Sequence, residues 1–353
     1  MKRLGFMLGR PLAPLYSLAM LARAHGYRRG FFATHSLPVP VISVGNLLMG
    51  GTGKTPLVQY LARLLLKRGK KPAIISRGYG GKAKGPVNVV SDGDTLFLNA
   101  AQAGDEPRFL AESLPGVPVL TGIARHLPAS EAVAMGADVL LLDDAFQHLA
   151  VQRDVNLVLF NADRLAGNSR VFPGGELREP VSALKRATAF VLTGVSANNR
   201  QRAELFAELL NRRFPDRPVY LAGYAADSAL MLNQDGTCTT VPLDLLRRGQ
   251  SDCLFAFCGI AGPDSFFHTL TDLSLTPTAT FALQDHHTYN LKQMQFLCTR
   301  AQNSGAKALI TTEKDLVKIG DLASHLLLPV YALRMRVEMD EEFATSLFQE
   351  INT

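Results

Sequence analysis

The segment that most constrains this chain is Gly50-Gly51-Thr52-Gly53-Lys54-Thr55, set between the apolar run Val39–Val44 and the helical pattern Pro56–Arg68. A strand, a glycine-rich turn and a helix in direct succession aim consecutive backbone N–H groups at one point, at the positive end of the helix dipole. Glycine permits close backbone approach and left-handed conformations there. The segment predicts a phosphate loop in which Gly50, Gly51, Thr52 and Gly53 cradle ATP. Lys54 then reaches the β- and γ-phosphates, and the Thr55 hydroxyl ligates Mg2+. The strict G-x-x-x-x-G-K-[ST] pattern requires glycine at position 48, where this chain has Leu48, which leaves Gly45, Gly50 and Gly51 to supply the turn.

The residues that follow alternate in type. Leu57, Leu61, Leu64 and Leu65 share one helical face, Pro56 suits a first turn, and Lys67, Arg68, Lys70 and Lys71 suit the helix end. Strands are expected at Pro72–Ser76, Val117–Leu120, Asp138–Leu142, Asn156–Phe160 and Ala189–Thr193, with helices near Glu106–Leu114 and Pro128–Met135. This order predicts an α/β fold of the P-loop NTPase type, a mostly parallel sheet with helices on both faces. A polar helix at Asn198–Arg213 runs up to Pro215 and Pro218. The expected organisation is an N-terminal segment (1–35), a P-loop domain (36–215) and a smaller second α/β domain (216–353). Val139–Leu142 runs into Asp143 and Asp144, one of which is expected to hold Mg2+ directly or through water. Thr312-Glu313-Lys314-Asp315 misses the Asn/Thr-Lys-x-Asp order by which a GTPase reads its base, so a GTPase is disfavoured.

Charge is unevenly distributed. Fifteen of the 37 Lys and Arg precede the first acidic residue, Asp92, leaving 22 bases against 31 acids in the remainder. A basic first quarter predicts an anionic partner. Aromatic–basic interleaving and zinc-finger patterns are missing, which argues against nucleic acid. Cys238, Cys253, Cys258 and Cys298 form no C-x-x-C pair and read as buried thiols in a reducing compartment. The apolar run Pro11–Ala22, flanked by Lys2, Arg3, Arg23, Arg28 and Arg29, falls short of the ~20 residues a bilayer span needs. It reads as an interfacial helix on an anionic membrane surface, the alternative being a helix packed on the domain.

A set of motifs carries a family resemblance: Gly45-Asn46-Leu47 and Gly50–Pro56, Ser76-Arg77-Gly78-Tyr79-Gly80, Gly104-Asp105-Glu106-Pro107, Asp143-Asp144-Ala145-Phe146-Gln147-His148, Pro173–Pro180, and Asp285-His286-His287-x-Tyr289. Together, from Gly45 to about Asp315, the chain resembles the tetraacyldisaccharide 4'-kinases, the lipid A 4'-kinases of bacteria with a lipopolysaccharide outer membrane. The resemblance implies transfer of the ATP γ-phosphate to the 4'-hydroxyl of an acylated glucosamine disaccharide 1-phosphate, forming lipid IVA. It also implies a peripheral or monotopic place on the cytoplasmic face of the inner membrane, and it makes Asp105 the base, paired with His286 of the second domain.

By their own chemistry these residues leave choices open. Asp105 is an acid at a helix start, where capping is the alternative. His286 and His287 are polar loop residues or a metal pair. Arg77 and Tyr79 follow a strand at the carboxyl edge, where open α/β sheets bind ligands. Arg178 suits an anion of the substrate, or with Glu179 a salt bridge that ties down its loop. Gln147 and His148 are placed to touch the γ-phosphate or metal. A P-loop switch ATPase with a protein partner is the alternative for the chain as a whole.

Overall fold

The computed structural model describes residues 2–250, 253–260, 262–285 and 287–352. The chain forms two compact units, Met1–Tyr224 with Val337–Thr353, and Ala225–Arg336. The first unit opens with α1 (Lys2–Gly9), a 3-10 turn (Arg10–Leu12) and α2 (Ala13–Arg28). It continues through β1 (Val41–Asn46), α3 (Lys54–Lys67), β2 (Pro72–Ser76), β3 (Asn88–Ser91), α4 (Ala100–Ala103), α5 (Asp105–Ser113), β4 (Val119–Thr121), α6 (His126–Ala134), β5 (Val139–Asp143), β6 (Val155–Asn161), β7 (Ala189–Val195), α7 (Arg200–Arg213) and the start of β8 (Val219–Leu232).

The strands of this unit stand in the order β8-β7-β6-β1-β5-β2-β4-β3. All pair in parallel except the edge strand β3, which runs antiparallel to β4. All six residues of β1 are buried, as expected of a central parallel strand covered on both faces. One face is covered by α3 and α5, whose Leu57, Leu61, Leu65 and Leu110 pack on Ile42, Val44, Ile74 and Leu141. The other face packs against Ala129 and Ala132 of α6 and Ala203 and Leu210 of α7.

The second unit continues β8 into a hairpin with β9 (Cys238–Pro242). After α8 (Leu243–Gln250) come β10 (Leu254–Cys258), α9 (Pro263–Asp272), β11 (Ala279–Ala282), α10 (Leu291–Asn303), β12 (Ala308–Thr312), α11 (Glu313–Ile319) and β13 (Val330–Met339). Here β11-β10-β12-β13 form a parallel sheet with an apolar core on each face. The Thr-Glu-Lys-Asp stretch is a helix start. The Thr312 hydroxyl caps α11 by accepting from the Asp315 amide, and the buried Asp315 carboxylate accepts from the Gly259 amide at 3.0 Å.

Three boundaries differ from expectation. The first unit ends at Tyr224 rather than 215 and regains the chain from Val337, because Phe343, Leu347 and Ile351 of α12 (Glu341–Asn352) belong to the same core as α3. Strand β1 extends past Val44 to Asn46, which pairs with Leu159, and begins after Pro40, which has no N–H for a ladder. Helix α3 starts at Lys54, two residues before Pro56.

Candidate active site

The phosphate loop leaves β1 at its carboxyl end. Asn46 ties it together, donating from Nδ2 to the Gly50 carbonyl (3.3 Å) and the Thr52 hydroxyl (2.8 Å). From β7, the Thr193 hydroxyl donates to the Thr52 carbonyl at 2.9 Å. Gly53 closes the turn with φ of 73°, and a Cβ there would land on the Tyr224 hydroxyl, so both conformation and space demand glycine. Burial pushes that hydroxyl up to about 12, against the opposing effect of the Thr193 hydrogen bond, so it stays protonated. Among the described residues the amides of Gly51, Thr52 and Gly53 donate to no protein acceptor. They form the kind of concave N–H cluster that binds anions.

Leu48, the departure from the strict pattern, is fully buried and forms a bridge with Leu177. The Pro-Gly-Gly-Glu-Leu-Arg segment is thereby held against the loop, with the Met49 amide donating to the Glu176 carbonyl and the Arg178 amide to the Leu47 carbonyl. The turn is made by Gly50 and Gly53, both at positive φ. Gly45 plays no part in it. It lies inside β1, where a Cβ would come within 2.6 Å of the Phe146 amide nitrogen.

Val44 pairs with Asp143 across β1 and β5, so the aspartate pair emerges beside the phosphate loop. Lys54 Nζ lies 3.5 Å from Asp144 Oδ1, and Arg178 Nη1 reaches the same carboxylate at 3.0 Å. Asp144 has φ of 45°, a left-handed turn that Asp tolerates better than most residues. Burial pushes its carboxyl up, but Lys54 and Arg178 outweigh that, and it stays below the ordinary carboxylate value.

Asp143 behaves in the opposite way. It is 1% exposed, and its Oδ1 has no hydrogen-bond partner among the described residues. Burial, then the charges of Glu106 and Asp144, push its carboxyl from 3.8 up to about 7. A carboxyl whose folded value is raised makes the fold less stable as pH climbs from about 4 to 7, because the unfolded chain gives up the proton first. Asp143→Asn is therefore expected to remove a falling limb of stability between pH 4 and 7 in the ligand-free protein, read from urea midpoints at stepped pH. An unchanged pH profile would contradict this environment.

Around the acids stands a shell of guanidinium groups. Arg125, buried, donates from Nη2 to the Asp144 carbonyl at 3.1 Å. Gln147 donates to the Asn46 carbonyl at 3.0 Å and accepts from Arg178 at 3.3 Å. His148 is pushed down to about 3 by burial and by Arg125, Arg153 and Arg23, which keeps the imidazole neutral.

Arg178 and Glu179 divide the roles weighed for them. Arg178 faces the aspartates, whereas both Glu179 oxygens are taken by Arg186 at 2.8 and 2.9 Å, with that guanidinium stacked over Phe146. Glu179→Ala would strand Arg186 in a partly buried site, a change worth roughly 3–5 kcal/mol when both partners are fully buried. Arg186 keeps 24% of its side chain exposed, so we expect a loss of about 2–3 kcal/mol by urea unfolding. A loss under about 0.5 kcal/mol would show that the pair does not hold the loop.

Asp105 is the first helical residue of α5. The cap position belongs to Gly104, which makes no side-chain cap, so Asp105 does not hold the N-cap position. The turn bearing Arg77 and Tyr79 lies against the α4–α5 junction, with the Lys82 and Ala83 amides donating to the Ala101 and Gln102 carbonyls. Both side chains are exposed, Tyr79 to 81%. Thr55 is buried in the first turn of α3. His286 lies outside the described residues.

The structure thus brings Lys54, Thr55, Asp143, Asp144, Gln147 and Arg178 to one carboxyl edge of the first sheet. It adds two side chains that sequence reasoning passed over, Glu106 beside Asp143 and Arg125 behind Asp144. Both carried a signal. Glu106 is inside the Gly-Asp-Glu-Pro motif, and Arg125 lies in the loop between β4 and α6, at the N-cap of α6.

With this geometry in place, comparison with known proteins is specific. The family model described as tetraacyldisaccharide-1-P 4'-kinase matches residues 6–352. A tetraacyldisaccharide 4'-kinase of Desulfotalea psychrophila is 47% identical over 341 residues, spanning 96% of this chain and 94% of its own. The Geobacter sulfurreducens protein of the same name is 43% identical, spanning 94% and 90%. The crystal structure of an "apo" form of LpxK from Aquifex aeolicus, in complex with ATP, superposes with a TM-score of 0.76 at 31% identity, covering 99% of this chain and all of that one. Motifs, fold and relatives converge: the chain belongs to the tetraacyldisaccharide-1-P 4'-kinase family.

Proposed function

We propose that this protein transfers the γ-phosphate of ATP to the 4'-hydroxyl of tetraacyldisaccharide 1-phosphate, forming lipid IVA. The observation that carries the reading is the cradle of open amides at Gly51–Gly53 with Lys54, Asp144 and Arg178 converging at its rim. Phosphoryl transfer asks a protein mainly for position and charge, and this edge of the sheet supplies both.

The residues also suit Mg2+. Asp143 offers a buried carboxylate oxygen that has no hydrogen-bond partner among the described residues, the kind of hard oxygen ligand this ion takes. Thr55, Asp143 and Asp144 would hold the ion. Among the described residues no three His, Cys, Asp or Glu side chains converge, so further ligands would come from phosphates and water. When bound, Mg2+ neutralises charge on the phosphate oxygens.

Lys54 draws charge from the transferring phosphoryl group, and the loop amides fix its orientation. Asp105 accepts the proton of the attacking hydroxyl, a role the family resemblance assigns together with His286. Arg77, Tyr79, Gln147 and Arg178 bind and orient the anionic substrate, and Glu179 acts through the Arg186 pair that shapes this loop.

The N-terminal helices are the foot by which the enzyme meets its substrate at the cytoplasmic face of the inner membrane. No described helix is long and apolar enough to cross a membrane. Instead Leu8, Leu12, Leu15, Leu18 and Leu21 are exposed along α1–α2, Leu15 to 68%. Tyr16 and Arg23 hold the opposite face to the site loops through the Arg178 and Gln147 carbonyls. Removal of residues 1–32 is expected to release the protein from vesicles of anionic lipid, read by flotation. Full retention would place the anchor elsewhere.

The direct test is radiolabelled ATP turnover in detergent with and without tetraacyldisaccharide 1-phosphate. Label should appear on the glycolipid, and turnover should depend on it. Turnover indifferent to the glycolipid and raised by a protein partner would favour a switch ATPase.

A further inference from the structure

Beside α2 lies a groove that the phosphoryl-transfer chemistry does not use. It is a cavity of about 1090 Å3 between α2 with the segment after it and the 3-10 turn Val181–Arg186. That volume lies just above the roughly 300–1,000 Å3 of ordinary small-ligand pockets. Its walls are mainly apolar, including Leu18, Leu21, Phe31 and Ala183, and Arg28 and Lys185 line it from its two sides.

Three observations identify an occupant. Leu18 and Leu21 line the groove and also belong to the exposed leucine stripe, so the groove is continuous with the surface proposed to lie on lipid. The charge in it is cationic. Glu179, the one acid in the lining, is consumed by Arg186, while Arg28 and Lys185 have no carboxylate partner among the described residues. Finally, none of the residues placed in the transfer step, Lys54, Thr55, Asp105, Asp143 and Asp144, lines the groove. Tyr16 and Arg23, seven residues apart, form the face turned to the site loops, and Leu18, Leu21 and His25 form another.

We propose that this groove binds one anionic glycerophospholipid of the surrounding membrane, an acyl chain between α2 and Ala183 and the phosphate against Arg28 and Lys185. The proposal rests on the interfacial reading of α1–α2 and deepens it. The foot would hold a lipid as a structural part of its docking surface, separate from the sugar that is phosphorylated. The acyl chain would complete apolar walls that otherwise face water, and the paired cations would select the anionic headgroup.

The test uses the full-length protein exchanged from detergent into dioleoyl-phosphatidylglycerol or dioleoyl-phosphatidylcholine nanodiscs, then released for native mass spectrometry. The wild type is expected to keep one phosphatidylglycerol and at least tenfold less phosphatidylcholine. Two independent variants should each lower phosphatidylglycerol retention at least tenfold: Arg28→Gln with Lys185→Gln, which removes the charge, and Ser182→Trp, which fills the groove from an exposed position. Equal retention of the two lipids, or wild-type retention in both variants, overturns the proposal. So does displacement of the bound lipid by tetraacyldisaccharide 1-phosphate, which would assign the groove to the substrate. Flotation on phosphatidylglycerol vesicles separates the two readings. Normal flotation without a retained lipid sinks the site alone, whereas a wild type that fails to float sinks the interfacial foot.

Discussion

Lys54→Ala is expected to lower kcat by about 10³-fold, the scale of losing a group that stabilises developing charge in the transition state. Lys54 stands in the first turn of α3 with its side chain only 12% exposed, against Asp144 at 3.5 Å. Its removal leaves Asp144 paired with Arg178 and Asp143 still opposed by Arg125, so the unfolding midpoint should stay near that of the wild type. Thr55→Ala is expected to act in the same direction, with Thr55→Ser restoring much of the activity because the hydroxyl is the working group. The measurement is kcat with saturating glycolipid, beside thermal unfolding of the same samples. Near-normal turnover in Lys54→Ala would remove the phosphate-loop assignment. A loss matched by collapse of the fold would make the residue structural.

Asp105→Ala should lower kcat by about 10²–10⁴-fold, the usual worth of general acid–base help. The competing explanation, that this acid serves only its helix, makes a different forecast. Asp105 is the first residue of α5 and not its cap, so its helical contribution is a favourable charge at the dipole, worth roughly 0.3–1 kcal/mol. Such a loss would lower the unfolding midpoint slightly and leave kcat untouched at temperatures where the protein stays folded. Asp105→Asn sharpens the contrast, since it keeps size and helix position but cannot take a proton. If kcat of Asp105→Asn stays within threefold of wild type, Asp105 is not the base. If kcat falls while the KM for ATP holds, the defect lies in the transfer step and not in nucleotide binding.

Much of the candidate site was legible because its residues are concentrated in short contiguous segments. A phosphate cradle needs neighbouring amides, so Gly50–Thr55 could be read directly. An apolar strand ending in two acids likewise announced Asp143 and Asp144. Where partners come from distant segments, local reading stopped at the residue type. The residue types around Glu179 do not distinguish a substrate ligand from a loop tie; the fold does, by turning the chain at Val181–Arg186 so that Arg186 meets both Glu179 oxygens and lies over Phe146. Leu48 looked like a flaw in the motif. It is instead the residue by which the loop is anchored in the core against Leu177.

What the sequence determined by itself was the alternation of strand and helix, the glycine-rich loop between β1 and α3 and the two acids at the end of β5, all of which depend on spacing along the chain; the exposure of the leucines along α1–α2 came from the structure. Tertiary structure alone decided that α12 returns to the first unit, that Asp143 and Asp144 carry opposite shifts in proton affinity, and that Arg125 stands behind them. Spacing sets which face of an element is apolar. Which surface covers that face, as α12 does beside α3, and which charges reach a carboxylate through protein instead of water, as Lys54, Arg125 and Arg178 do at Asp144, depend on residues from other elements, since burial and Coulomb energy follow distance in space and not along the chain.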